Sequence, residues 1–222
     1  MYQYILFDLD GTLTDPKIGI TTCVQYALHK MGIEEPDPDR LEPFIGPPLI
    51  DSFREFYGMN EEEAVRAVEY YRERFSTVGL FENEVYSGIP ELLARLKKDG
   101  RKLAIASSKP TVYVKKILEY FSIYEYFDII VGSELDGTRC RKEEVVEEAL
   151  EQLSADDKFR KRDAVMIGDR KFDIEGAKAH QIPSIGVNYG YAADNELVEA
   201  GADCVVGNVK ELSEVLLKDD RR

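Results

Sequence analysis

The 222-residue chain is long enough for one large domain or a domain with a substantial insertion, and 44% hydrophobic with 32% charged content describes a globular protein, not a disordered one. Its 29 basic and 43 acidic residues give a net charge of −14, which repels a nucleic-acid backbone, so no nucleic-acid partner is expected. No apolar run approaches the roughly 18 residues of a membrane span and no secretory leader pattern is visible, so no membrane partner is expected and a cytoplasmic location is.

The first predicted element is the apolar run YILF at residues 4–7, a β-strand that leads directly into Asp8-Leu9-Asp10-Gly11-Thr12. Asp15-Pro16 then supplies an N-cap and a first-turn proline for a helix to about Met31. Phe44-Ile45-Gly46-Pro47-Pro48-Leu49 predicts a rigid turn, since its glycine and prolines forbid a continuous helix. Ala64, Val65, Val68, Tyr71 and Phe75 mark a second helical stripe. Residues 16–82 contain no convincing strand and read as a helical insert.

From there strands and helices alternate. Ile89, Leu92, Leu93 and Leu96 have helical spacing; LAIAS at 103–107 is a strand; Val114, Ile117, Leu118 and Phe121 are helical again. FDIIVG at 127–132 predicts a strand, the stripe from Val145 to Leu153 a helix, and AVMIG at 164–168, SIGV at 184–187 and CVVG at 204–207 three more strands. Such alternation means an α/β fold with a parallel sheet covered on both faces. The division is a core of residues 1–15 and 83–222 with a helical insert at 16–82.

In an open parallel sheet, ligand sites form at the carboxyl ends of the strands. Asp8 and Asp10 follow the first strand, Ser107 ends LAIAS, Asp169 follows AVMIG, and Asp173 lies four residues further at a helix start. Carboxylates gathered there repel one another by about 4 kcal/mol per pair at about 4 Å and an effective dielectric of about 20. A hard divalent cation with oxygen ligands relieves this, and Mg2+ fits. Zinc is unsupported: His29 and His180 are far from these motifs, and Cys23, Cys140 and Cys204 are widely separated with no CxxC spacing. An EF-hand is excluded, because aligning Asp8, Asp10 and Gly11 with loop positions three, five and six puts Leu6 and Lys17 where carboxylates are required.

Taken together, DLDGT, the serine of LAIASSK, the lysine of TRCRKEEVV and GDRKFD resemble the four motifs of the haloacid dehalogenase superfamily, and the resemblance covers essentially the whole chain. The insert is similar to the helical cap of the phosphoglycolate phosphatase-like and 5'-nucleotidase-like subgroup. The resemblance implies a Rossmann-like core, with Asp8 as the nucleophile that forms an aspartyl-phosphate and Asp10 as the acid and base. It further implies that Ser107 hydrogen-bonds the phosphoryl group, that Lys142 neutralises it, and that Asp8, the Asp10 carbonyl, Asp169 and Asp173 hold Mg2+. The implied activity is hydrolysis of a small phosphomonoester, phosphoglycolate or a related metabolite, by a monomer or homodimer. Nucleoside monophosphate and pyrophosphate hydrolysis, sugar phosphomutase activity and phosphate binding without turnover are the alternatives.

Several residues have a plainer reading beside the functional one. Asp173 is also a plausible helix cap, as is Asp15. Ser108 adjoins Ser107 and competes for its role, and Lys142 competes with Lys109, Arg139 and Arg141, since the Lys-Pro pair common in the third motif is missing. Gly46 and Pro47 either connect helices or close over substrate. Arg72 either reaches an anionic substrate group or sits on a solvated helix face.

Overall fold

The computed structural model describes residues 2–218. In chain order its strands and α-helices are β1 (Tyr4–Phe7), β2 (Thr14–Asp15), α1 (Lys17–Lys30), α2 (Leu49–Tyr57), α3 (Glu61–Phe75), β3 (Glu84–Val85), α4 (Ile89–Lys98), β4 (Lys102–Pro110), α5 (Thr111–Tyr120), β5 (Ile129–Ser133), α6 (Lys142–Leu153), β6 (Ala164–Gly168), α7 (Lys171–Ala179), β7 (Ser184–Val187), α8 (Glu196–Glu199), β8 (Cys204–Val206) and α9 (Val209–Leu217).

Six parallel strands form one sheet in the order β5-β4-β1-β6-β7-β8. β1 lies inside it, Tyr4 pairing with Lys102 on one side and Ala164 on the other. All four β1 residues are buried, and they alternate between faces as a strand must. Ile5 and Phe7 join Leu92, Leu96, Val114, Ile117 and Leu212 of α4, α5 and α9 in one core cluster. Tyr4 and Leu6 join Val145, Val146, Ala149 and Ala177 of α6 and α7 in the other. The α/β class and the covered parallel sheet are as expected from the sequence.

Between β2 and β3 lie α1, α2 and α3, with no strand among them. Their apolar faces, including Val24, Ala27, Leu28, Phe53, Ala64, Ala67 and Tyr71, are buried against one another. α3 begins with a reciprocal cap, Glu63 N–H donating to the Asn60 side chain and Asn60 N–H to the Glu63 side chain. α2 adds a helix where the sequence reading stopped at a turn, and Leu49, Phe53 and Tyr57 recur along it at helical spacing. The chain passes from the sheet to this layer and back through the antiparallel β2–β3 ribbon, in which Asp15 pairs with Glu84. Among the described residues no helix is long and apolar enough to cross a membrane.

Candidate active site

The carboxyl ends of β1, β4 and β6 lie side by side, which brings the polar residues after them to one rim. Asp8 leaves β1 still bonded to the sheet, its N–H donating to the Ile167 carbonyl at 2.9 Å. Gly11 turns the chain away with φ of +79°, and a Cβ at this position would lie 2.1 Å from Asp169 Oδ2. Only glycine allows both that backbone conformation and that approach.

Asp8, Asp169 and Asp173 are buried, and each offers an oxygen within 4.8 Å of the others. Lys142, the first residue of α6, reaches between two of them, with Nζ 2.8 Å from Asp8 Oδ1 and 2.8 Å from Asp173 Oδ1. It also donates to the Ala106 carbonyl at 3.0 Å, next to Ser107. Burial alone would lower the Lys142 pKa, but Asp173 and Asp8 outweigh it and hold the ammonium above the usual lysine range. Arg139 instead pairs with Glu134 and Glu148, and Arg141 faces Glu143, so neither occupies this position.

Asp173 is not the N-cap residue itself, which is Arg170, but the third residue of α7, and its side chain reaches back to cap the helix start. Its Oδ2 accepts the Arg170 N–H at 3.0 Å at the start of α7, while Oδ1 faces Lys142. Asp169 is fully buried, Oδ2 accepting the Tyr191 N–H at 2.8 Å and Oδ1 the Thr12 hydroxyl at 3.4 Å. Burial first, then Asp173 and Asp8, push its carboxyl well above the ordinary range. Three carboxylates and a single ammonium leave a surplus of negative charge in a site of oxygen donors. These residues therefore fit a hard divalent cation such as Mg2+.

The Asp10 carboxylate lies outside this cluster. Its Oδ2 is 2.7 Å from Lys109 Nζ, and its buried Oδ1 has no hydrogen-bond partner among the described residues. Burial raises its pKa, and Lys109 opposes the rise. Lys109 Nζ in turn sits 4.6 Å from the centre of the Phe75 ring of α3, so this one cation touches both Asp10 and the helical insert. From sequence alone Lys109 is only a rival to Lys142, and its place directly after Ser107-Ser108, at the same strand end, is the signal for its role here.

Ser107 is buried, and its hydroxyl accepts the Lys109 N–H at 3.4 Å. Ser108 lines a cavity of about 360 Å3 that opens on Asp10 and Lys109. Phe44, Tyr71, Phe75 and Tyr113 give this cavity aromatic walls, and Gly46, Pro47 and Arg72 also line it. Tyr71 stacks on Phe75 at 5.0 Å, and Phe75 meets Tyr113 edge-on at 5.5 Å. Arg72 also donates to the Leu135 carbonyl at 2.9 Å, tying α3 to the loop before α6. Asp15 accepts the Lys17 N–H at 3.0 Å, close to the expected cap, and also the Tyr191 hydroxyl.

A model of the haloacid dehalogenase-like hydrolase family matches residues 5–187. A 5'-nucleotidase of Pseudomonas aeruginosa is 50% identical over 198 residues, covering 88% of this chain and 87% of that protein. Tyrosine-protein kinase PtkA of Mycobacterium tuberculosis is 36% identical over 217 residues, covering 96% of this chain and 72% of that one. The solved structure of a predicted phosphatase from Clostridium acetobutylicum superposes with a TM-score of 0.94 at 49% identity, covering 99% of this chain and 100% of that one. With a family match across most of its length and phosphatase relatives at this likeness, the chain belongs to the haloacid dehalogenase-like hydrolases and is an enzyme of the phosphatase type.

Proposed function

We propose that this phosphatase is Mg2+-dependent, works through an aspartyl-phosphate on Asp8, and takes a phosphomonoester whose leaving group carries a ring, a nucleoside 5'-monophosphate being the best fit. The aromatic cavity carries the substrate part of the reading. It is large enough for a drug-sized ligand, and rings are recognised by such walls. The name of the Pseudomonas relative supports the same choice. Phosphoglycolate, a small dianion-bearing acid, would need a cation for its carboxylate. Arg54 and Arg72 line the cavity, but so do Asp51, Glu61 and Glu134, which oppose an extra negative charge.

Asp8, Asp169, Asp173 and the Asp10 carbonyl are the proposed holders of Mg2+, which when bound neutralises charge between the carboxylate nucleophile and the phosphate. Asp8 Oδ1 faces Lys142, so attack on phosphorus falls to Oδ2. As the new Asp8–phosphorus bond forms, the ester oxygen leaves with its electron pair and takes a proton from Asp10. Asp10, now ionised beside Lys109, takes a proton from water as that water displaces Asp8 from phosphorus. Lys142 and the Ser107 hydroxyl hold the phosphoryl oxygens throughout, and fixed donors of this kind act on charge as it develops.

The test is phosphate release from a panel of nucleoside monophosphates, phosphoglycolate, a sugar phosphate and pyrophosphate, with and without chelator. Turnover of the ring-bearing esters that stops with chelator and with Asp8→Asn is expected. Full turnover by a folded Asp8→Asn protein would remove the covalent mechanism, and preference for phosphoglycolate would remove the substrate assignment.

A further inference from the structure

Arg170 follows Asp169 directly, and its two ends serve different parts of the molecule. Its backbone N–H donates to Asp173 Oδ2 at 3.0 Å, as described above. Its guanidinium leaves the sheet rim altogether: Nε donates to Glu196 Oε1 at 2.9 Å, and Nη1 donates to the Ile45 carbonyl at 2.5 Å. Ile45 belongs to the loop between α1 and α2, 125 residues away in sequence. Glu196 is itself held, since Oε1 accepts the Lys171 N–H at 2.8 Å and Oε2 the Ala193 N–H at 3.1 Å. The Arg170 and Glu196 side chains are only 13% and 11% exposed, which separates this pair from the solvated ion pairs elsewhere on the chain.

The loop is built to accept this contact. Gly46 has φ of +108°, and a Cβ there would come within 3.0 Å of Arg170 Cγ, so its backbone lies flat against the arginine stem. Pro47 and Pro48 carry no N–H, so the loop has few donors with which to tie itself down. Gly46, Pro47, Pro48 and Leu49 line the aromatic cavity on the other side, and Arg170 does not. Whatever the Arg170 side chain does to substrate, it does through the loop.

We propose that Arg170 is a positioning residue that seats the Ile45–Pro48 loop over the phosphate site. Its backbone N–H separately holds Asp173, so substitution of the side chain perturbs the cavity wall and leaves that bond in place. The two side-chain bonds diverge from one planar guanidinium, a geometry that a single ammonium cannot reproduce. Loss of a charge-assisted bond to a buried carbonyl is worth about tenfold in an equilibrium.

The inference rests on the phosphatase reading for its kinetic arm only. Arg170→Met, Arg170→Lys and Glu196→Gln are compared with the parent in the Mg2+-loaded full chain. Hydrogen exchange of the Ile45, Gly46 and Leu49 amides is measured against the amides of β6, and KM and kcat are measured with nucleoside monophosphates and p-nitrophenyl phosphate. Exchange in the loop is expected to rise about tenfold in Arg170→Met and Arg170→Lys with β6 unmoved. KM is expected to rise by a similar factor while kcat falls less than about threefold. Glu196→Gln, which keeps an acceptor but removes the charge, is expected to shift both readouts the same way by less, and it carries the test if the arginine variants do not fold. Unchanged loop exchange in a folded variant would overturn the proposal, as would a fall in kcat with KM unmoved. If nucleotides prove not to be substrates, the exchange measurement still reads the seat.

Discussion

Replacing Lys142 by methionine removes a buried charge while keeping an unbranched chain of similar reach, so the perturbation is electrostatic and leaves little cavity. Its Nζ stands 2.8 Å from one oxygen each of Asp8 and Asp173. At an effective dielectric of about 20, each such contact is an attraction of about 6 kcal/mol before desolvation is subtracted. Truncating one partner of a buried ionic group leaves a net loss of about 3–5 kcal/mol. For a chain of this length that lowers Tm by about 6–20 °C. The metal-free protein should show this drop, and Mg2+ should recover part of it, because the ion takes over the charge of the orphaned carboxylates. In turnover, the loss of a fixed cation at the developing phosphoryl charge should cost about 10²–10³ in kcat. Thermal melts with and without Mg2+, beside steady-state phosphate release, read both effects. A Tm within about 2 °C of the parent together with kcat within about threefold would refute the reasoning.

Asp10→Asn is expected to slow hydrolysis of alkyl phosphates by about 10²–10⁴, and of an aryl phosphate with a good leaving group by much less, since that group departs without a proton. Equal losses for both would count against Asp10 as the acid. Gly11→Ala puts a methyl against Asp169 Oδ2 and should weaken Mg2+ binding by about tenfold or more in calorimetric titration, an unaltered Kd being the contrary result. Arg74 grips Glu82 through two bonds of 2.6 and 2.8 Å and holds its carboxyl below the usual range. A depressed folded-state pKa means stability present above the unfolded value of about 4.3 and lost as pH falls through the folded one. Glu82→Gln should therefore flatten the acid limb of the Tm–pH curve. Because both side chains are partly exposed, at 20% and 30%, the loss near neutrality should be only about 0.5–1 kcal/mol, and an acid limb as steep as the parent's would exclude this role.

Much of the site could be read from sequence because β1 and β6 are short apolar strands that end abruptly in carboxylates, and neighbouring parallel strands must deliver those ends together. Lys142 could be read only through the resemblance of its motif, and the structure places it as the first residue of α6, where it reaches Asp8 and Asp173. Lys109 was harder, since β4 shifts register between Ala106 and Pro110 and the side-chain direction at that irregular end does not follow from alternation. The contact of Arg170 with Ile45 has no signature at all: any residue supplies a carbonyl, and only the tertiary fold chooses which one. The β2–β3 ribbon escaped for a different reason, because two residues per strand are too few for a period to register.

That ribbon has a consequence for how such a molecule can be rebuilt. Asp15 and Glu84 face each other across an antiparallel pair, so the points where the chain departs and returns are about 5 Å apart. The covalent connection is therefore narrow, whereas the contacts of Phe75 with Lys109, Arg72 with Leu135 and Ile45 with Arg170 fasten the insert to the sheet rim well away from it. The chamber thus enters and leaves the chain at one narrow place yet is pinned in space at several, so a rebuilt chamber would have to match the ribbon and also supply partners for Lys109 and Arg170.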